Sequence, residues 1–230
     1  MKKLLVYTLL LTSMTYNANA QQVLDKLNPN NTGALYRNNV LSNNELIKTE
    51  GSVYFVNEFR AAEVSGVPQQ LLIRYNAFTD MIEVKNEKGE LFSLVKEIPY
   101  NTITVLHNNE KIKLLNYKSS GDVVVNGYLV ELFSNNDVTL YRRDKTILQK
   151  GKAAVNSYAS PTASRYIKKD AEYYLSVNNE IATAMPKNKN ELLTLFPSKK
   201  EEIAAFVKKT DYSLKEEQSI IEMAKFISNL

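Results

Sequence analysis

The residues of this chain that are able to do chemistry are few and scattered. There is one histidine, His107, beside the pair Asn108-Asn109, and there is no cysteine. A Ser-His-Asp system would have to use His107, yet no G-x-S-x-G elbow supplies its nucleophile, so a turn-adjacent surface histidine is expected. One histidine without cysteine also removes the usual zinc ligand sets, and no D-x-D-x-D-G spacing builds a calcium loop. Ser93 and Lys96 keep the S-x-x-K spacing of a serine acylase, a chemistry that needs both side chains one helical turn apart. Here they fall in a run that alternates like a strand, with no S-D-N or K-T-G partner motif, and the match reads as chance. Seven glycines include no G-x-G-x-x-G or G-x-x-x-x-G-K. No catalytic residue, no cofactor and no metal is therefore assigned.

Carboxylates alone could still serve a glycosidase, which needs two of them about 5–9.5 Å apart. Asp80 with Glu83, or Asp122 with Glu131, are the pairs to weigh, although charged residues on strands mostly mark the solvated face. Tryptophan, the ring best suited to stacking on sugars, is absent, and tyrosine would have to substitute. A carboxylate-dependent hydrolase acting on glycan or peptide is thus the alternative reading. The leading one is a non-enzymatic binding or interaction module.

The elements that must position these residues follow from periodicity. Val53 to Val56 with Phe59, then Leu71–Tyr75, Met81–Lys85, Glu90–Lys96, Thr102–Leu106, Lys111–Leu115, Val123–Phe133 and Val138–Arg142 carry strand character, and Thr146–Gln149 extends the series. Asn-rich turns separate them. Asparagine occurs 25 times, often paired as in Asn108-Asn109 and Asn135-Asn136, and it tolerates the positive φ of tight hairpins. In the segment Asn76 to Asp80 the Asn and the Asp are expected to bond to local backbone N–H groups. Seven to nine strands are expected. Residues 150–186 resist assignment, although Tyr173-Tyr174-Leu175 suits one more strand. From about residue 187 the period becomes 3.6: a short helix over Lys189–Leu195, one opened by a Ser198/Glu201 capping box with stripe Ile203, Phe206 and Val207, and one opened by Ser213/Glu216 with stripe Ile220, Met223, Ile227 and Leu230. The fold class is α+β: an antiparallel β-meander forming a small barrel or sandwich, followed by two to three C-terminal α-helices.

The first twenty residues carry an address. Lys2 and Lys3 precede the apolar run Leu4 to Leu11, and Ala18-Asn19-Ala20 supplies an A-x-A exit before Gln21-Gln22. That is the layout of a secretory signal peptide cleaved between Ala20 and Gln21, with an apolar run well short of the roughly 20 residues of a membrane span. The expected organisation is signal peptide 1–20, extended lead-in 21–50, β-rich domain 51–186 and helical cap 187–230. The expected location is outside the cytoplasm, periplasmic or extracellular. Without Lys2 and Lys3 the chain has 27 basic against 25 acidic residues, which gives no broad field for holding nucleic acid. No transmembrane segment is expected after cleavage. An outer-membrane barrel is disfavoured by Lys and Glu recurring within the strands and by the charged helical end.

Gly51-Ser52-Val53-Tyr54-Phe55, Arg74-Tyr75-Asn76-Ala77-Phe78-Thr79-Asp80-Met81-Ile82-Glu83-Val84, and the stretch from Leu195-Phe196-Pro197 through Ser213-Leu214-Lys215-Glu216-Glu217 to Leu230 resemble uncharacterised exported proteins of Bacteroidota. The resemblance implies an envelope location in a two-membrane bacterium and brings no assigned activity. A partner protein of the envelope or a glycan is the expected ligand.

Overall fold

A long β8–β9 hairpin organises the molecule. The computed structural model describes residues 36–38, 49–119, 121–135, 137–152, 162–186, 188–210, 212–213 and 215–230. The expected cleavage site at Ala20 and Gln21, most of the lead-in and Asn136 lie outside the described residues. Those described form β1 (Tyr36–Asn38), β2 (Thr49–Glu50), β3 (Arg60–Val64), β4 (Leu71–Asn76), β5 (Met81–Lys85), β6 (Leu91–Leu94), β7 (Thr102–Val105), β8 (Glu110–Lys118), β9 (Val124–Asn135), β10 (Val138–Arg143), β11 (Thr146–Gln149), β12 (Ser164–Lys168), β13 (Glu172–Val177) and β14 (Ala182–Ala184). Helices α1 (Lys189–Leu195), α2 (Lys200–Thr210) and α3 (Glu217–Ile227) follow.

The main sheet runs β1-β6-β5-β4-β3-β7-β8-β14-β13-β10-β9, and β8 also pairs with β9. It forks at β8. One edge of β8 carries β9 from Lys111 to Lys118, while the other is shared by β7 at Glu110–Lys113 and β14 at Tyr117–Lys118. Strands β8, β14, β13, β10 and β9 thereby close a five-stranded barrel. Strands β3 to β7 form a second, curled sheet on the same hairpin. Here β3 to β6 pair in sequence order and the chain then returns to lay β7 beside β3, a Greek-key step rather than a plain meander. The pairings β14–β8 and β12–β2 are parallel.

The α+β class and the barrel are as expected; the strand count is not. Fourteen strands among the described residues exceed seven to nine because several are two to four residues long and rest on tertiary neighbours rather than on an apolar run. Val53 to Phe59 make only an isolated bridge, Tyr54 to Asn76. The strand lies instead at Arg60–Val64, whose inward Ala62 and Val64 are buried. Asn109, Asn178 and Asn179 adopt positive φ in turns, and the last two join β13 to β14 in the stretch that had no assignment.

Both faces of β8–β9 are covered, which accounts for the unbroken burial of Tyr128, Leu129 and Val130. Even-numbered Ile112, Leu114, Tyr128 and Val130 pack inside the curled sheet against Ile73, Ile82 and Ile103. Odd-numbered Tyr117 and Leu129 face the barrel lumen with Tyr174. The outer face of the barrel, at Val138, Leu140 and Leu175, takes the helices through Leu192, Ile203, Ile220, Met223 and Ile227.

The helix starts differ from expectation. Pro197 opens a 3-10 turn over Pro197–Lys199, so Ser198 already lies within helical backbone and makes no cap. The Ser213 hydroxyl accepts from Lys215 N at 3.3 Å rather than from the third helical N–H. The reciprocal cap is Asn188 with Glu191: Asn188 Oδ1 accepts from Glu191 N at 3.0 Å and Asn188 Nδ2 donates to Glu191 Oε1 at 2.6 Å. Leu230, placed on the buried stripe by spacing, is 39% exposed just past the helix end.

Candidate functional site

The curled sheet leaves a small cleft of about 70 Å³ where its inner face meets residues 55–58. Its floor is apolar: Ile73 from β4, Val105 from β7, Ile112 from β8 and Val130 from β9. Period-2 alternation turns these four inward and leaves Glu110 and Arg60 at strand starts, where the same inward face reaches the rim. Phe55, Val56, Tyr75 and Asp144 complete the lining. An adjoining shallow hollow of about 480 Å³ shares Glu58 and Arg60 with the cleft and continues to Leu106 and His107. His107 is exposed in the β7–β8 turn, as its position beside Asn108-Asn109 predicts.

Two of the three rim carboxylates, Glu110 and Asp144, are committed, while Glu58 is exposed. Arg142 binds Asp144 through Nε to Oδ1 at 2.9 Å and Nη2 to Oδ2 at 3.1 Å. It also meets Glu217 of α3 at 3.0 Å and Glu110 at 3.7 Å. Burial opposes the charge of Arg142, but Asp144 and Glu217 more than offset it and hold its pKa above the ordinary value. Tyr75 donates to Asp80 Oδ1 at 2.8 Å, and burial, with Asp80 next, pushes its phenol well above the usual range.

The two carboxylate pairs singled out from sequence are not brought together. Glu83 lies on the Arg74 and Asn76 face of the β4–β5 hairpin, is 4% exposed and accepts from Arg74 Nη2 at 2.7 Å, Tyr54 Oη at 3.0 Å and Asn76 Nδ2 at 3.0 Å. Asp80 points to the Tyr75 face instead. Asp122 sits in the β8–β9 turn, while Glu131 lies seven residues into β9 beside Lys111 and Lys113 at 3.7 and 3.8 Å. Ser93 is buried on β6, and its hydroxyl has no partner among the described residues. Lys96 is paired elsewhere, to Asp80 at 2.6 Å.

Within the Asn76–Asp80 turn, Asn76 Oδ1 does accept locally, from Phe78 N and Thr79 N at 3.1 Å each. Asp80 does not. Its Oδ1 accepts from Tyr128 N at 3.2 Å on β9, 48 residues away, and Lys96 Nζ reaches Asn126 O at 3.5 Å. Residues 126 and 128 turn their main-chain groups away from β8, at an edge that β10 joins only from Val130. The Asp80–Lys96 ion pair therefore stands where a neighbouring strand would otherwise stand, with a carboxylate on the N–H and an ammonium on the C=O.

Sequence reasoning missed Arg60, Glu110 and Asp144 as cleft residues, and Arg142 as the cation behind them. Charged residues at strand ends look solvated in a sequence, and nothing local marks them as converging. No family model matches the chain, and neither a curated protein nor a solved structure matches it.

Proposed function

We propose that the protein is an exported, non-enzymatic binding module of the bacterial cell envelope, periplasmic or extracellular, that engages an envelope protein or a glycan. The observation that carries this reading is the cleft itself. It joins an apolar floor to a polar rim, as ligand sites do, and both of its half-buried rim carboxylates are tied to Arg142 rather than left to act as acid or base. The signal-like leader and the resemblance to exported proteins support the location.

Cross-linking in the native envelope, followed by mass spectrometry, tests the reading. A stoichiometric partner that survives a high-salt wash, and is lost when Val105→Asp alters the cleft floor in a chain that still folds, supports it. Turnover of a glycan or peptide that disappears in Glu110→Gln or Asp144→Asn while folding survives would sink it in favour of a hydrolase.

A further inference from the structure

Arg60 is the lining cation left unmatched. It is half-buried at the start of β3, and among the described residues its guanidinium has no carboxylate, hydrogen-bond or ring partner. Arg74 is committed to Glu83 and to Tyr54 Oη at 2.8 Å, and Arg142 to three carboxylates. The cleft anions are in the opposite condition. Glu110 and Asp144 share Arg142, and Glu58 is exposed to water. Arg60 is therefore a partly desolvated fork of N–H donors that no side chain among the described residues engages, beside an apolar floor.

We propose that the cleft takes the carboxyl-terminal aliphatic residue of a partner chain, with its carboxylate on Arg60 and its side chain on Ile73, Val105, Ile112 and Val130. This rests on the reading of the cleft as a binding site. The planar guanidinium matches a carboxylate through two parallel hydrogen bonds, a fit that a point charge does not offer. A cleft of about 70 Å³ matches one short branched side chain in size. The adjoining hollow, which shares Arg60 and extends to Leu106 and His107, leaves room for the residues that precede the terminus.

Methyl-resolved NMR titration of the full chain is the test, with three probes: N-acetyl-Ala-Ala-Leu, the same peptide as its carboxyl-terminal amide, and 4-methylpentanoate. The acid peptide is expected to shift the methyls of Ile73, Val105, Ile112 and Val130. The amide should bind at least about tenfold more weakly, as should the acid peptide to Arg60→Gln, in keeping with loss of one charge-assisted pair. Arg60→Gln should melt with the parent, because Arg60 has no partner to lose among the described residues. An amide as tight as the acid, or an unaltered affinity in Arg60→Gln, overturns the assignment to Arg60 while leaving the binding cleft in place. 4-Methylpentanoate as tight as the peptide overturns the partner chain in favour of a small acid. Silence of the four methyls with all three probes overturns this proposal, and leaves the binding reading to stand or fall on the cross-linking experiment.

Discussion

Asp80 ties the β4–β5 turn to a strand 48 residues further on through Tyr128 N, and also accepts from Tyr75 Oη and Lys96 Nζ. Its side chain and that of Lys96 keep only 17% and 24% exposure, so neither charge is well solvated without the other. Asp80→Asn retains an oxygen acceptor but strands the ammonium. The expected loss is about 2 kcal/mol, below the roughly 3–5 of a fully buried pair, read as a shift in urea midpoint with m unchanged. A loss under about 0.5 kcal/mol would mean that the seam closes without the ion pair. Gly127 belongs to the same joint. A Cβ there would stand 2.6 Å from Asp80 Oδ2 and 3.3 Å from Tyr117 Oη, so Gly127→Ala must displace the carboxylate and should cost about 1–3 kcal/mol in the same assay.

At the scale of elements, the helices act as the outer wall of the barrel. Met223 is fully buried against the barrel face, and Met223→Ala is expected to cost about 2–5 kcal/mol in thermal or urea unfolding. Phe206 is only half-buried, stacked on Phe226 with centroids 4.3 Å apart, so its truncation should cost less than Met223→Ala. The reverse order would show that α2, not α3, makes the decisive contact. Removing residues 187–230 uncovers Val138, Leu140 and Leu175 at once. The shortened chain should lose cooperative unfolding and aggregate; a soluble, sharply melting sheet would show that the helices are a separate docking unit instead.

For the molecule as a whole, buried phenols set an alkaline limit. Tyr117 and Tyr174 are 0% and 2% exposed, and burial, the leading cause in each, pushes both up to about 12. The unfolded chain titrates near 10, so between pH 10 and 12 it sheds protons that the native state keeps. The stabilisation is whole below pH 10 and is lost as pH rises through 12, at about 1.4 kcal/mol per pH unit for each tyrosine. Urea midpoints should hold up to pH 10 and fall beyond it, together with the rise of tyrosinate absorbance. A midpoint that stays level to pH 12 would contradict the burial of these hydroxyls.

Periodicity by itself determined much of the molecule. The 3.6-residue stripe of α3 and the strands at Met81–Lys85 and Thr146–Gln149 are local properties, written in the order of side chains that must share a face. The tight turn at Asn109 is equally local, because positive φ favours asparagine wherever it stands. Tertiary structure alone decided the rest. The β3–β7 pairing, the fork at β8 and the role of Asp80 depend on backbone groups that look the same at every position until a distant strand arrives. The same holds for the site. Arg60, Glu110, Arg142 and Asp144 read in sequence as solvated strand ends, and only the curl of the sheet places three of them around an apolar floor with Arg142 behind them. Side-chain pattern is encoded over one turn or one pleat, whereas which strand edges and charges meet is settled by the burial that the whole chain achieves together.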